Sequence, residues 1–368
     1  MKSECLAFTR SPVDYCARAT RVQWTGFIQE ARQHALLGTC YFLARDSDVW
    51  ASLPDEVQTH LLSGFHYAEK QKITLLNEMM ELEKLFSGSD VPAVLVKGVA
   101  YRLAEYKFAR GRVFSDIDLL IPRSHYGQAL QLLKDAGYLE FSMSAYDRRY
   151  YLRWTHQHPP LTHFIRGANI DLHHHIFPVS SNEHLLVEPL IQNSEPLPGS
   201  AFSTPSPAFL FMHAAVHLFY QDETHKLIKD LCDLHLLYQE VVTRQSFQHI
   251  IDAAIQSNAQ AAVYYALHTL QQIFYTSIPK EISQIAPAAS KYRLWQMQFL
   301  LTHLLDTTSF WHRPAHFFWF VRGHLLKMGP FTLLYHSTSK ALEQFRERRV
   351  LSKKQQQLDE QTRPGDAH

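Results

Sequence analysis

The segment Ser115-Asp116-Ile117-Asp118-Leu119-Leu120-Ile121 sets two aspartates two residues apart inside an aliphatic run. Its β-branched content predicts a strand, in which side chains at i and i+2 leave the same face. Asp116 and Asp118 then stand side by side, with Ile117 and Leu119 toward the core. Two adjacent like charges cost stability unless a cation offsets them, and oxygen donors suit a hard divalent ion. Taken alone, the same pair equally describes a solvated strand edge whose charges discourage aggregation.

The flanking sequence repeats one pattern. Upstream, AVLV (93–96) is a short buried-strand run, Lys97-Gly98 a turn, and VAYRLAEY (99–106) a helix. A glycine there lets the backbone approach a ligand, and a helix N-terminus offers N–H groups to phosphate. Lys97, Arg102, Arg110 and Arg112 bring positive charge to the same unit, though arginines also suit a solvated helix face. Lys97, Gly98, Arg102, Arg112 and Ser115 form the candidate nucleotide-binding set. The strand is expected over 111–122. A helix follows over 124–138, with Ser124 as N-cap and Gly137 as its stop. Residues 161–177 read as a hairpin, LTHFIR and NIDLHHHIF around Gly167-Ala168-Asn169.

In that hairpin, alternation puts Asp171, His173 and His175 on one face. If its strand lies beside that of Asp116 and Asp118, three carboxylates converge, as two metal ions bridging a nucleotide require. A rival reading is a zinc site of His173, His175 and the pair His156 and His158, but no H-E-x-x-H or cysteine-bearing signature accompanies it.

Helical periods cover the rest, over 24–43 and, after Leu53-Pro54, over 56–86. Further helices are expected at 207–220, 226–242 and 251–275. The chain divides into N-terminal helices (1–88), a small α/β core (89–200), C-terminal helices (201–345) and a polar tail (346–368). His213 and His217 share a helix face, and with Asp230, Asp233 and His235 they are candidates for an acceptor pocket, to which His173 is also assigned, or for an interhelical hydrogen-bond network. The aromatic run His316–Phe320, followed by Arg322 and Lys327, reads more readily as core than as a surface for a membrane or partner.

Composition narrows the function classes. Thirty-six Lys and Arg against 35 Asp and Glu leave a net charge of +1, which argues against an extended nucleic-acid surface. Four scattered cysteines without a C-x-x-C pair fit free thiols in a reducing compartment. No leader-like apolar segment or membrane span of about 18 residues is evident, so the expected location is cytoplasmic.

In Lys97-Gly98, Arg112–Ile121 and Ile170-Asp171-Leu172-His173 the chain resembles the uncharacterised nucleotidyltransferase family of the DNA polymerase beta-like superfamily. The likeness extends to Leu53-Pro54, Asn77, Glu81–Leu85, His213-x-x-x-His217 and Asp230–Leu237, spanning about residues 20–335. It implies an α+β fold, a small mixed sheet flanked by helical regions. It also implies that Asp116 and Asp118 bind Mg²⁺, or Mn²⁺, as two ions, with Asp171 the third carboxylate. The implied reaction moves a nucleoside monophosphate from an NTP such as ATP to an acceptor hydroxyl, releasing pyrophosphate. The acceptor class is open among a small molecule, a sugar phosphate, a peptide, a protein and a tRNA end. Val99 follows Gly98 where the superfamily usually has serine or glycine. That departure favours the alternative of a catalytically silent nucleotide-binding or partner-binding module with the same fold.

Overall fold

Helices α1 (Glu4–Arg10), α2 (Pro12–Arg18), α3 (Arg21–Gln33), α4 (Leu37–Asp46) and α5 (Asp55–Ser87) come first in the chain. The computed structural model describes residues 3–329 and 333, apart from 142, 144–155, 179, 182 and 287–289. α5 follows its predicted stripe, burying Leu61, Ala68, Leu75, Met79, Leu82 and Phe86. The helix expected over 24–43 is instead two. Ala35 adopts a φ of 54° between them, and the bend seats α4 on α5. Backbones touch there: a Cβ on Gly38 would lie 2.4 Å from the Gly111 carbonyl oxygen and 3.1 Å from that of Gly64. A periodic pattern carries no signal for that backbone-to-backbone contact.

The middle of the chain builds one mixed sheet from β1 (Ala93–Val96), β2 (Ile117–Leu120), β3 (Tyr138–Glu140), β4 (Leu161–His163), β5 (Asn169–His173), β6 (Ser194–Pro196) and β7 (Phe202–Pro205). Helices α6 (Lys97–Leu103), α7 (Tyr126–Asp135) and α8 (Glu188–Gln192) connect them. The strand order is β3-β4-β5-β2-β1-β7-β6. β2 runs antiparallel to β1 and parallel to β5, and every residue of β1 and β2 is buried. Central strands covered on both faces are continuous apolar runs for that reason.

Turn chemistry behaves as expected at Gly137 (φ 94°), which ends α7, and at Gly167 (φ 68°), in the β4–β5 turn. Ser124, however, is not the cap of α7. His125 holds that position, and Ser124 Oγ lies 2.9 Å from His125 Nδ1. The strand expected over 111–122 shrinks to β2 because Arg112 and Phe114 fold over Gly98 instead of pairing. α6 begins at Lys97, two residues early.

The C-terminal part is α9 (Pro207–Tyr220), α10 (Leu227–Arg244), α11 (Phe247–Gln256), α12 (Gln260–Phe274), α13 (Ser290–Leu304) and α14 (His312–Lys327). α9 is buried along most of its length. The helix expected over 251–275 breaks at Asn258, whose φ is 55°. On α14 the aromatic run is not core: only Trp319 is buried, while Phe317, Phe318 and Phe320 are exposed. The helix packs through Ala315, Trp319 and Gly323, one row at four-residue spacing, and the phenylalanines fall off that row. Among the described residues no helix is long and apolar enough to cross a membrane. All four cysteines are free thiols. The polar tail expected over 346–368 lies outside the described residues.

Candidate active site

The register of the parallel β2–β5 pair sets Asp118 opposite Asp171. Asp171 and His173 leave the same face of β5, and one ligand atom each from Asp118, Asp171 and His173 lie within 4.8 Å of one another. His173 Nε2 is 2.9 Å from Asp118 Oδ1. Asp118 is almost fully buried, and Lys97 donates from Nζ to the same oxygen at 2.5 Å. Lys97 reaches it from the junction of β1 and α6, where its own backbone takes a φ of 55°. The left-handed residue of this turn is therefore the lysine, not Gly98.

Electrostatics separate the two carboxylates. Burial acts to raise Asp118, but the Lys97 charge and His173 outweigh it and hold Asp118 well below the usual carboxylate range. Burial and then the Asp118 charge push Asp171 upward. For Lys97, burial acts to lower the ammonium, and Asp118 more than compensates. The cluster thus already holds one cation, an ammonium, against a buried carboxylate, and its oxygen and imidazole donors suit a divalent ion.

Lys97 and Asp118 line a cleft of about 330 Å³, which residues of α9 and α10 also line. Asp116 and Ser115 line it just before β2, with Ser115 Oγ donating to Asp116 Oδ1 at 2.9 Å. Arg112 also lines it, but its Nε donates to Asp233 Oδ2 at 2.8 Å and its guanidinium lies over Tyr101 and Phe114. Gly98 is covered by that guanidinium: a Cβ there would meet Arg112 Nη1 at 1.9 Å. Its lack of a side chain makes room for an arginine. Arg102, on α6, is not among the residues that line the cleft, and Arg110 pairs with Asp46 away from it.

His217 and Asp230 line the cleft from α9 and α10. Burial and the nearby Lys97 charge hold both His213, at about 3, and His217 well below the usual histidine range. Asp230 is raised by burial. His213 is buried and is not among the residues that line the cleft. His235 instead stacks on Phe274, with centroids 4.1 Å apart, and serves packing. Sequence reasoning missed Lys226 and Lys229, which line the cleft; Lys229 Nζ lies 3.3 Å from Asp233 Oδ2. Lys226, Lys229, Asp230 and Asp233 recur at three- and four-residue spacing, a shared helix face that was readable in the sequence.

The all-histidine zinc reading fails among the described residues. β5 ends at His173, so the alternation stops before His175, whose Nδ1 accepts from the Phe177 N–H. His158 is held by Glu140 at 3.0 Å, and His156 stacks on His173.

A mixed sheet that sets Asp118, Asp171 and His173 together, with Asp118 lining a cleft shared by lysines, an arginine and further aspartates, is an arrangement suited to nucleotidyl transfer. The sequence model of the uncharacterised nucleotidyltransferases matches residues 20–275, and the chain belongs to that family. The match ends at the close of α12, short of the residue 335 to which the resemblance had been read. No curated protein and no solved structure matches the chain.

Proposed function

We propose that this protein is a Mg²⁺- or Mn²⁺-dependent enzyme that transfers a nucleoside monophosphate from an NTP to an acceptor hydroxyl. The observation that carries this reading is the in-register pair Asp118 and Asp171, with His173 beside them and Asp118 lining the cleft. Asp118, Asp171 and His173 would hold an ion, and Asp116, at the cleft edge, would share in holding a second. A bound divalent ion supplies charge neutralisation and orientation to the triphosphate.

The chain's own groups account for the remaining chemistry. The acceptor oxygen bonds to the α-phosphorus while the bond from that phosphorus to the α–β bridging oxygen breaks, and pyrophosphate leaves. Asp171, the carboxylate raised by burial, takes the acceptor proton. Lys97 exchanges Asp118 for the β- and γ-phosphates, and Lys226 adds charge at the cleft wall. Ser115 and Arg112 contribute to nucleotide positioning, while His217 and Asp230 face the acceptor.

The test incubates the protein with each α-labelled NTP, divalent ion and cell extract. Label should pass from the α-phosphate, and not from the γ-phosphate, to a product that Asp118→Asn and Asp171→Asn both eliminate. A second reading, a silent nucleotide-binding module, draws support from the Lys97–Asp118 ion pair and from Arg112 over Gly98. It predicts saturable NTP binding with no labelled product from any extract.

A further inference from the structure

Beyond residue 275, where the family match ends, α13 and α14 pack on each other and carry a continuous aromatic surface. Ring centroids run from Tyr292 to Trp295 at 6.1 Å, Trp295 to Phe299 at 5.6 Å, Phe299 to Trp311 at 5.8 Å and Trp311 to Phe310 at 5.9 Å. Phe318 extends the chain: with Trp295, Phe299, Leu300 and Leu325 it lines a groove of about 560 Å³. Phe310 is 87% exposed, Tyr292 66% and Phe317 62%. Scattered exposed apolar side chains are ordinary, but a contiguous run of aromatic rings marks a contact surface.

Basic side chains predominate on that surface, although Glu183 also lines the groove. Residues 290–327 hold Lys291, Arg293, Arg313, Arg322 and Lys327 against the single acid Asp306. Arg322 donates to the Phe219 carbonyl and Lys327 pairs with Asp222, so these two serve the fold. Lys291, Arg293 and Arg313 are exposed. A second copy meeting this face would set like charges against like. Tryptophan and tyrosine at a polar–apolar boundary, bordered by lysine and arginine, match instead a bilayer surface bearing anionic headgroups.

We propose that α13, α14 and the loop between them dock on an anionic phospholipid surface, with the rings in the headgroup layer and the three cations on the phosphates. The contact is peripheral, and it is independent of the chemistry in the cleft. The full chain should co-sediment with vesicles of phosphatidylcholine plus phosphatidylserine and not with phosphatidylcholine alone. Neutralising Lys291, Arg293 or Arg313 to glutamine should weaken partition roughly fivefold each. Phe310→Ser with Phe317→Ser should abolish it at an unchanged melting temperature, because both rings stand in solvent. Equal partition to both vesicle types overturns the proposal. So does sedimentation with neither, whatever protein the face then serves, or a dimer seen by light scattering that the double phenylalanine variant dissolves.

Discussion

Lys97 Nζ and Asp118 Oδ1 lie 2.5 Å apart, joined across the β1–β2 pair by a lysine whose backbone sits at a φ of 55°. The ammonium occupies one oxygen of the carboxylate that belongs to the Asp118, Asp171 and His173 cluster. An L-residue pays for the left-handed conformation, and the buried ion pair is what it gains. On the proposed function, nucleotide and ion would compete with this resident cation.

Asp118→Ala should destabilise the protein by about 1–3 kcal/mol in urea melts, since it leaves a part-buried ammonium unpaired beside His173. Repulsion between the two aspartates acts the other way, and the burial of Asp118 and its pairing with Lys97 outweigh it in this prediction. Asp116→Ala, at the partly exposed edge of the cleft, should stay within about 0.5 kcal/mol of wild type. Equal effects at the two positions would mean that the Lys97 pair adds nothing.

Lys97→Ala removes the resident cation and leaves Asp118 buried near Asp171. Without metal this variant should melt below wild type. Added Mn²⁺ or Mg²⁺, with no nucleotide present, should raise its melting temperature more than that of wild type, because the ion no longer displaces an ammonium. Calorimetric titration checks the same point. A weaker ion response in Lys97→Ala would show that lysine supports the metal site rather than competing with it.

Gly98→Ala should cost about 1–3 kcal/mol through overpacking, by driving the Arg112 guanidinium off Asp233. Arg112→Ala in the same chain should absorb most of that cost, a non-additivity read from a double-mutant cycle. Additive losses would place the strain in the backbone instead.

Acid should unfold the protein early. Burial pushes His213 to about 3 and His235 to about 4, below the ~6.5 of an unfolded histidine. The unfolded chain then binds more protons as pH falls, so stability is full above about pH 6.5 and declines toward pH 4. Asp118, held low by Lys97, adds a further loss below about pH 4. Melting temperatures from pH 8 to pH 4 test this; a flat profile to pH 5 would mean that these histidines are hydrated.

Local sequence alone determined α5, the buried α9, the glycine stops at Gly137 and Gly167, and the alternation that puts Asp171 and His173 on one face, because period and turn geometry are properties of neighbouring residues. It also carried the family, through Lys97-Gly98, Arg112–Ile121 and Ile170–His173. Tertiary structure decided the rest. Asp118 meets His173, 55 positions away, only through the register of two parallel strands, and Arg112 finds Asp233, 121 positions away, only after α10 packs against α9 and the Lys107–Gly111 turn. The bends at Ala35 and Asn258, and the outward turn of Phe317, Phe318 and Phe320, answer to which neighbours each helix packs against. Partners so distant leave no periodic trace, since contact across the fold depends on the whole chain's packing and not on the spacing of residues along it.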